Sequence, residues 1–227
     1  MTASFYPELT DILNNICDDI SQNIIKEGHP IILVDEYSWF REVLSLLAKQ
    51  VNLCESCILL LENGMEQEAY LLARSQFNNT VWITYLCGDE DNSRVKEYFY
   101  QPHINQIRVN KNFIKMIDEF RDEIDERFLD SEMIEKINKG IEENQKILSD
   151  EGISKQVKSI SELSMQSIEL FAMYVTFYNE GSKFEHSDIS KTKLYRKEVS
   201  KDYDEYSVFT FELCKSDKEC WLSVYNC

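Results

Sequence analysis

Two residues near position 180 have the types and the spacing that acid–base chemistry requires. Ser182 and His186 lie one helical turn apart in the polar segment Tyr178-Asn-Glu-Gly-Ser-Lys-Phe-Glu-His186. This segment follows the apolar residues 168–177, whose pattern predicts a buried helix, so we expect the helix to end there and its end to face a cleft beside the core. A histidine takes up and releases protons near neutral pH. His186 is therefore a candidate catalytic residue, with a structural cap or a core hydrogen bond as the alternative, and Ser182 and Tyr178 are candidate binding residues.

A single arginine interrupts an otherwise apolar run in the middle of the chain. Arg74 lies within Ala69-Tyr-Leu-Leu-Ala-Arg-Ser-Gln-Phe77. A guanidinium at such a place needs a carboxylate, a helix end or a ligand to satisfy its donors. One interpretation is a structural ion pair with an acidic residue of a neighbouring helix. The other is an anion-binding group that faces a pocket which also receives His186.

These two elements together resemble a known family. The run Leu71-Leu-Ala-Arg74, followed later by Tyr178-x3-Ser182-x3-His186, resembles a bacterial helical family of unknown function over about Glu36–Ser187. That family in turn resembles the HEPN helical bundles, several of which are metal-independent ribonucleases in toxin–antitoxin and phage-defence systems. The resemblance implies that His186 would move a proton and that Arg74 would stabilise the charge of the phosphorane.

The chain also departs from the HEPN pattern. The signature of those bundles places an arginine a few residues before the histidine, where this chain has residues 179–181, and Lys183 is the nearest cation. The glutamate expected one turn after the arginine is replaced by Asn78. Lys183 and Asn78 complete the candidate binding residues. We therefore interpret the chain as an interaction or regulatory module, in defence or stress response, with a ribonuclease that uses His186 and Arg74 as the alternative.

The charge distribution bears on the partners. A formal charge of −17 argues against broad nucleic-acid binding, because a phosphate backbone would be repelled at long range. Residues 183–201 form the basic stretch of the chain, with six basic residues against three acidic ones. RNA is therefore disfavoured as a partner, and we expect a protein partner or a second copy of the chain, as in a homodimer.

Cysteine and histidine spacing predicts neither a metal site nor a cofactor. Cys54-Glu-Ser-Cys57 lacks the second pair that a zinc ribbon needs, so buried core thiols are expected, with redox or metal chemistry as the alternative. The histidines are scattered at positions 29, 103 and 186, and no glycine-rich phosphate loop is present. The pattern leaves open any role for the cysteines near the end of the chain, which are Cys214, Cys220 and Cys227.

The sequence predicts a cytoplasmic protein without a membrane segment. Residues 1–30 contain many acidic residues and lack the basic leader and apolar run of a signal peptide. No apolar stretch is expected to reach the roughly 18 residues that a membrane-spanning helix needs. The odd number of cysteines, seven, fits a reducing compartment.

The elements that must position the candidate residues are mostly helical. Six glycines and three prolines are few for 227 residues, which favours long helices. Apolar spacing predicts an antiparallel, mainly all-α bundle of six or seven helices. The predicted helices cover residues 7–26, 35–62, 66–86, 93–128 (one helix, or two with a bend near Pro102), 130–149 and 168–178.

A small β-hairpin is predicted after the bundle. Tyr206–Leu213 alternates in the manner of a strand, Cys220–Tyr225 is rich in strand-forming residues, and a polar turn separates them. We therefore predict a helical domain over residues 1–200 and a hairpin appendage over residues 201–227 that packs on it.

Overall fold

The protein is all-α in its main part. The computed structural model describes residues 7–32, 38–123, 131–154, 156–186, 196–203, 206–211 and 224. The helices are α1 (Pro7–Asp19), α2 (Ser38–Glu62), α3 (Glu66–Cys87), α4 (Ser93–Glu119), α5 (Ser131–Asp150), α6 (Ile160–Ser164), α7 (Ile168–Met173) and α8 (Asn179–Glu185). A π-helical segment, Ile20–Ile25, continues α1, and another, Tyr174–Tyr178, joins α7 to α8. The predicted all-α bundle is confirmed.

The chain divides into two compact units. The first unit comprises residues 1–88 and 160–227, and the second unit comprises residues 89–159. The predicted division into residues 1–200 and 201–227 stays a prediction, because most of the chain after residue 186 lies outside the described part.

The helical hairpin of α2 and α3 forms the centre of the first unit. It turns at Gly64, whose φ of +68° belongs to the left-handed region, as the sequence predicts for a helix end. The Met65 amide donates to the Leu60 carbonyl at 2.9 Å and closes the turn. The core of this unit is built largely from one face of α3, together with residues of α2, α6 and α7; its α3 members are Ala69, Tyr70, Ala73, Phe77, Val81 and Tyr85.

One helix qualifies by length and composition as a candidate membrane span, which corrects the sequence-based expectation. Within the described residues, Trp39–Glu62 contains an 18-residue window with a mean hydropathy of 1.5. A third of that window is buried, and the same helix packs along α3. A core helix of a soluble protein passes the same test, so this finding is weak evidence for a membrane segment.

The buried face of α1 differs from the predicted one. Apolar spacing predicts that Ile12 and Ile16 belong to the buried face, but both are about half exposed, at 46% and 49%. The buried residues of α1 are Thr10 and Cys17, and Cys17 contacts Cys54 of α2 through a side-chain hydrogen bond. The periodicity identifies a helix correctly but cannot say which side a neighbouring helix covers.

The helix predicted to end near Tyr178 continues for two more turns, so the predicted polar break is wrong. Residues 179–185 are helical, and His186 is the turn that follows them. Lys183 Nζ donates to Glu180 Oε2 at 2.7 Å, an i, i+3 pair of the kind that supports a helix. The predicted buried segment 168–177 is also only partly buried: Leu170 and Phe177 lie in the core, whereas other apolar residues of the segment are exposed.

The second unit is built from α4 and α5. Asp89 accepts backbone N–H groups from Arg94 at 3.2 Å and Val95 at 2.8 Å, which satisfies donors at the start of α4. Of the two alternatives for this region, the structure has a single helix over Ser93–Glu119 with Pro102 inside it. The rest of the predicted helix, after residue 123, lies outside the described residues.

The predicted C-terminal hairpin is not shown. The structure pairs β1 (Arg196–Tyr203) with β2 (Tyr206–Phe211) in antiparallel orientation, with register irregularities between residues 198 and 203. Residues 206–211 thus pair with the preceding segment, whereas the prediction paired them with residues 220–225. Of those predicted partner residues, the described part of the chain includes only Val224, which is buried.

Cys17, Cys54 and Cys57 lie in or near the core, and burial raises the pKa of each of these thiols. Burial raises the pKa of Cys57 to about 12, and burial together with its contact with Cys54 raises the pKa of Cys17 to about 12. Cys57 Sγ lies 3.5 Å from the Ala69 carbonyl oxygen, inside the α2–α3 interface. Cys87, at the end of α3, is exposed. This placement agrees with the core interpretation of Cys57.

We predict that thiol labelling distinguishes these positions. At about pH 8 a thiol with a pKa near 12 is roughly 0.01% thiolate, and only the thiolate reacts. In the folded protein, iodoacetamide should therefore modify Cys87 at least about tenfold faster than Cys17 or Cys57, as measured by peptide mass spectrometry over time. In guanidinium chloride the rates should converge. Equal rates in the folded state would mean that the α2–α3 interface is open.

Candidate functional site

Arg74 lies where α8 packs on α3. Its side chain is 11% exposed and forms an ion pair from Nη1 to Glu185 Oε2. Its guanidinium carbon also lies 4.3 Å from the centre of the Tyr178 ring, which is a cation–π contact. Of the two interpretations that the sequence left open for Arg74, an ion pair with a neighbouring helix is the arrangement observed.

The close approach of the two helices depends on a glycine. A Cβ added at Gly181 would lie 2.5 Å from Arg74 Cδ and 2.8 Å from Tyr70 Cε1. Real side chains do not tolerate such distances, so only glycine fits between these two groups. Gly181 is therefore the position at which α8 comes close enough for Glu185 to pair with Arg74.

Aromatic rings hold the same helix in place. The Tyr70 ring stacks on Phe177 with centroids 4.6 Å apart, and the Tyr70 hydroxyl donates to the Phe177 carbonyl oxygen at 3.1 Å. That carbonyl lies in the π-helical segment, where the backbone hydrogen bonding of an α-helix is interrupted. Tyr178 stacks on Tyr174 at 5.3 Å and contacts Phe77 at 5.5 Å.

His186 is exposed at the end of this helix. Its Nε2 atom lies 3.9 Å from Glu185 Oε2, the same oxygen that pairs with Arg74. Its backbone N–H donates to the Ser182 carbonyl at 2.9 Å, and its side chain is 73% exposed. The two candidate catalytic residues therefore meet at one carboxylate, although they are far apart in the sequence.

The other candidate binding residues occupy different surroundings. Ser182 is half-buried on α8, and Lys183 is an exposed residue whose ammonium group pairs with Glu180. Asn78 is half-buried on α3, one turn after Arg74. The structure thus brings Arg74, Tyr178 and His186 together around Glu185, while Lys183 has a carboxylate partner of its own.

Some buried polar atoms near this site lack a hydrogen-bond partner. They include Arg74 Nε and Asn78 Oδ1. Nε2 and Oε1 of Gln67, two turns before Arg74 on α3, also lack a partner. Such atoms cost about 1–3 kcal/mol each when they are left unsatisfied. The carboxylate of Glu185 therefore satisfies only part of the Arg74 guanidinium.

The arrangement has two chemical capabilities. The Arg74–Glu185 pair joins α3 to α8. Because the Glu185 carboxylate already compensates the charge of the guanidinium, Arg74 is poorly placed to bind a second anion strongly. His186 remains accessible to solvent, with its imidazole next to the Glu185 carboxylate. Among the described residues, no group of three or more His, Cys, Asp or Glu side chains is arranged to hold a metal ion.

Three residues of the site, Glu185, Tyr70 and Gly181, are not identified as candidates by the sequence patterns. Glu185 was hidden because it lies beside His186 in an acidic chain, and nothing local marks it as the partner of Arg74. Tyr70 was a signal that could have been used, since it lies one turn before Arg74 on the same face of α3. Gly181 falls within the polar break predicted after Tyr178, whereas glycine within a helix can mark a close contact between two helices.

The fold and the site together define a helical bundle protein in which a buried arginine joins two helices. The chain belongs to the family of unknown function DUF5677, which matches residues 42–204 and so includes both Arg74 and His186. No curated protein and no solved structure matches the chain. The predicted membership in a family of unknown function is confirmed, whereas the bacterial origin of the family and its resemblance to the HEPN bundles stay predictions.

We predict that Gly181→Ala destabilises the first unit. The added methyl group would collide with Arg74 and Tyr70, and neither can retreat, because Arg74 is held by Glu185 and Tyr70 by Phe177. The free energy of unfolding should fall by about 1–3 kcal/mol, although alanine is otherwise the better helix former. Urea unfolding followed by circular dichroism measures this change.

Gly140→Ala on α5 is the matched control. A Cβ at Gly140 would lie 3.4 Å from Asn110 Nδ2, which is an ordinary contact. This variant should gain up to about 1 kcal/mol from helix propensity. A Gly181→Ala protein as stable as Gly140→Ala would contradict the close packing of α8 on α3.

Proposed function

We propose that the protein is an interaction module that works as a homodimer in the cytoplasm. The observation that supports this most directly is a row of exposed apolar side chains on α7 and the segment after it. This row, the α7 apolar row, consists of Ile168, Phe171 and Val175, which are 81%, 38% and 50% exposed. Their spacing of three and four residues places them on one side of the helix.

Exposed apolar side chains also occur elsewhere among the described residues, as at Ile12 and Ile16 of α1, and the α7 apolar row is one such group. Met165, which is 64% exposed, lies just before it in the sequence and extends the apolar character. Single exposed apolar residues are common on soluble proteins, but a contiguous row more often marks an interaction site. The row lies within the family region, at residues 42–204.

Charge favours a second copy of the chain as the partner. The protein carries a formal charge of −17, so two copies repel each other over most of their surfaces. Between Glu169 and Glu180, however, the chain has no charged residue. Two copies that meet through this region therefore have few like-charge contacts, with Glu169 as the acidic residue inside the row. A two-fold axis would place the same apolar row on both sides of the interface. A role in defence or stress response is part of the proposal and rests on the resemblance to the HEPN bundles.

We predict that Ile168→Glu combined with Val175→Glu abolishes the dimer. In analytical ultracentrifugation the wild-type chain should have twice its chain mass of 26.8 kDa, and the double variant should have the mass of one chain. Both residues are exposed, so folding should be unaffected. Leu59→Glu is the control, because Leu59 is 61% exposed on α2 outside the row. A monomeric wild type, or a double variant that remains dimeric, rejects the proposal.

We propose RNA cleavage as a second candidate function, because one geometric observation favours it. Arg74 and His186 both contact Glu185 Oε2, so the side chains that the HEPN resemblance implies as catalytic lie side by side. In this mechanism His186 takes the proton of the ribose 2′-hydroxyl as that oxygen attacks the adjacent phosphorus. The bond from phosphorus to the 5′-oxygen then breaks, which leaves a 2′,3′-cyclic phosphate and a 5′-hydroxyl that takes its proton from solvent or from His186. Arg74 would stabilise the phosphorane after leaving Glu185 for the phosphate. The compensated charge of Arg74 and the acidity of the chain count against this function.

We predict for this second candidate that purified protein cleaves a mixed RNA pool in the presence of EDTA. His186→Ala should reduce the rate by about 10²–10⁴-fold, the range expected when a general acid or base is removed. His29→Ala, which removes another exposed histidine of the first unit, should leave the rate unchanged. Absence of cleavage by the folded wild type, or equal loss in both variants, rules out the mechanism.

A further inference from the structure

A cavity lies within the second unit, and its lining residues belong neither to the Arg74 site nor to the α7 apolar row. Its volume is about 450 Å³, within the range of roughly 300–1,000 Å³ that small-molecule sites occupy. One side is formed by residues of α4 at helical spacing, Ile104, Arg108 and Lys111 among them. Gln145 of α5 and Val157 of the connection after α5 contribute to the other side.

The charge of this cavity contrasts with that of the chain. Its described lining residues include Arg108 and Lys111 but no aspartate or glutamate. The reason lies in the sequence of α4, which has no acidic residue between Glu97 and Asp118. In a chain with 41 acidic side chains against 24 basic ones, this is a local concentration of positive charge.

The two cations also differ from their neighbours in lacking partners. Other lysines of the same unit pair with carboxylates, such as Lys96 with Glu151 at 2.8 Å and Lys158 with Glu97 at 2.8 Å. Arg108 and Lys111 form no ion pair with any carboxylate of the described residues. They lie three residues apart on one helix face, so a single anion can contact both.

The remaining lining residues indicate what accompanies the anion. The side-chain amides of Asn112, Gln145 and Gln156 each present a donor and an acceptor, the combination that hydrogen-bonds with the edge of a heterocyclic base. Ile104 and Val157 add apolar surface for a flat ring. Inorganic phosphate would use the two cations and leave this polar and apolar surface without a function.

We propose that the cavity binds a phosphorylated small molecule of the nucleoside monophosphate class. Arg108 and Lys111 bind the phosphate, and the amide side chains bind the base. Arg108 can hold two phosphate oxygens at once through its planar fork, whereas Lys111 contributes a single point charge. The site is independent of Arg74 and His186, so it would add a small-molecule ligand to the proposed interaction module.

Isothermal titration calorimetry on the full chain tests the proposal. The probes are AMP, GMP, CMP, UMP and inorganic phosphate, each titrated at low ionic strength. We expect saturable binding of at least one nucleotide, tighter than that of phosphate alone. Arg108→Gln and Lys111→Gln should each weaken it about tenfold or more, the effect of losing one charge-assisted hydrogen bond.

Lys139→Gln is the matched control, because it makes the same charge change on an exposed residue of α5 outside the cavity lining. It should keep the affinity of the wild type. Unchanged binding in Arg108→Gln and Lys111→Gln, or equal weakening in Lys139→Gln, would overturn the assignment of the site. No saturable binding of any nucleotide, or phosphate bound as tightly as every nucleotide, would overturn the ligand class.

Discussion

The burial of one guanidinium group constrains the first unit more than any other interaction. Arg74 lies on the core face of α3, where an unpaired charge would be costly. The buried guanidinium is accommodated by a carboxylate from another helix, by an aromatic ring beside it and by the close approach of the backbone of that helix. Glu185, Tyr178 and Gly181 meet these requirements, and all three belong to one continuous helical stretch. The position of that stretch, and with it the position of His186, follows from the arginine.

The part of the fold that depends on local pattern could be predicted from the sequence. The apolar runs of α2 and α3 and the left-handed Gly64 between them define the central hairpin without tertiary information. The face of α1 could not be predicted, because periodicity shows that a helix has an apolar side but not which neighbour covers it. The continuation through α8 was missed for a related reason: Asn179, Gly181 and Ser182 are poor helix formers in isolation, and packing on α3 overrides their local preference.

The candidate site was predictable in part. Arg74 could be identified because a charged residue interrupts an apolar run. His186 could be identified because an imidazole can transfer a proton near neutral pH. The contact that joins them could not be predicted, because Glu185 is one carboxylate among 41 acidic residues and lies almost half the chain away from Arg74 in the sequence. The acidic composition of the chain also hides the cationic cavity, because the composition averages over this local concentration of positive charge. In the sequence Arg108 and Lys111 resemble ordinary surface cations of a helix, and only the described lining of the cavity shows that it contains no carboxylate.

The π-helical segment Tyr174–Tyr178 sets the angular relation between two surfaces of the same helical stretch. Each residue of an α-helix advances by about 100° around the axis, and a π-turn accommodates one residue more than an α-turn. The segment therefore sets a rotational offset between Ile168 and Phe171, which precede it, and Gly181, which follows it. Ile168 and Phe171 are exposed, whereas Gly181 lies against Arg74 and Tyr70 of α3. Deleting one residue from this segment would rotate α8 by about 100° around its axis relative to α7. The length of the segment is therefore constrained even where its individual side chains are not.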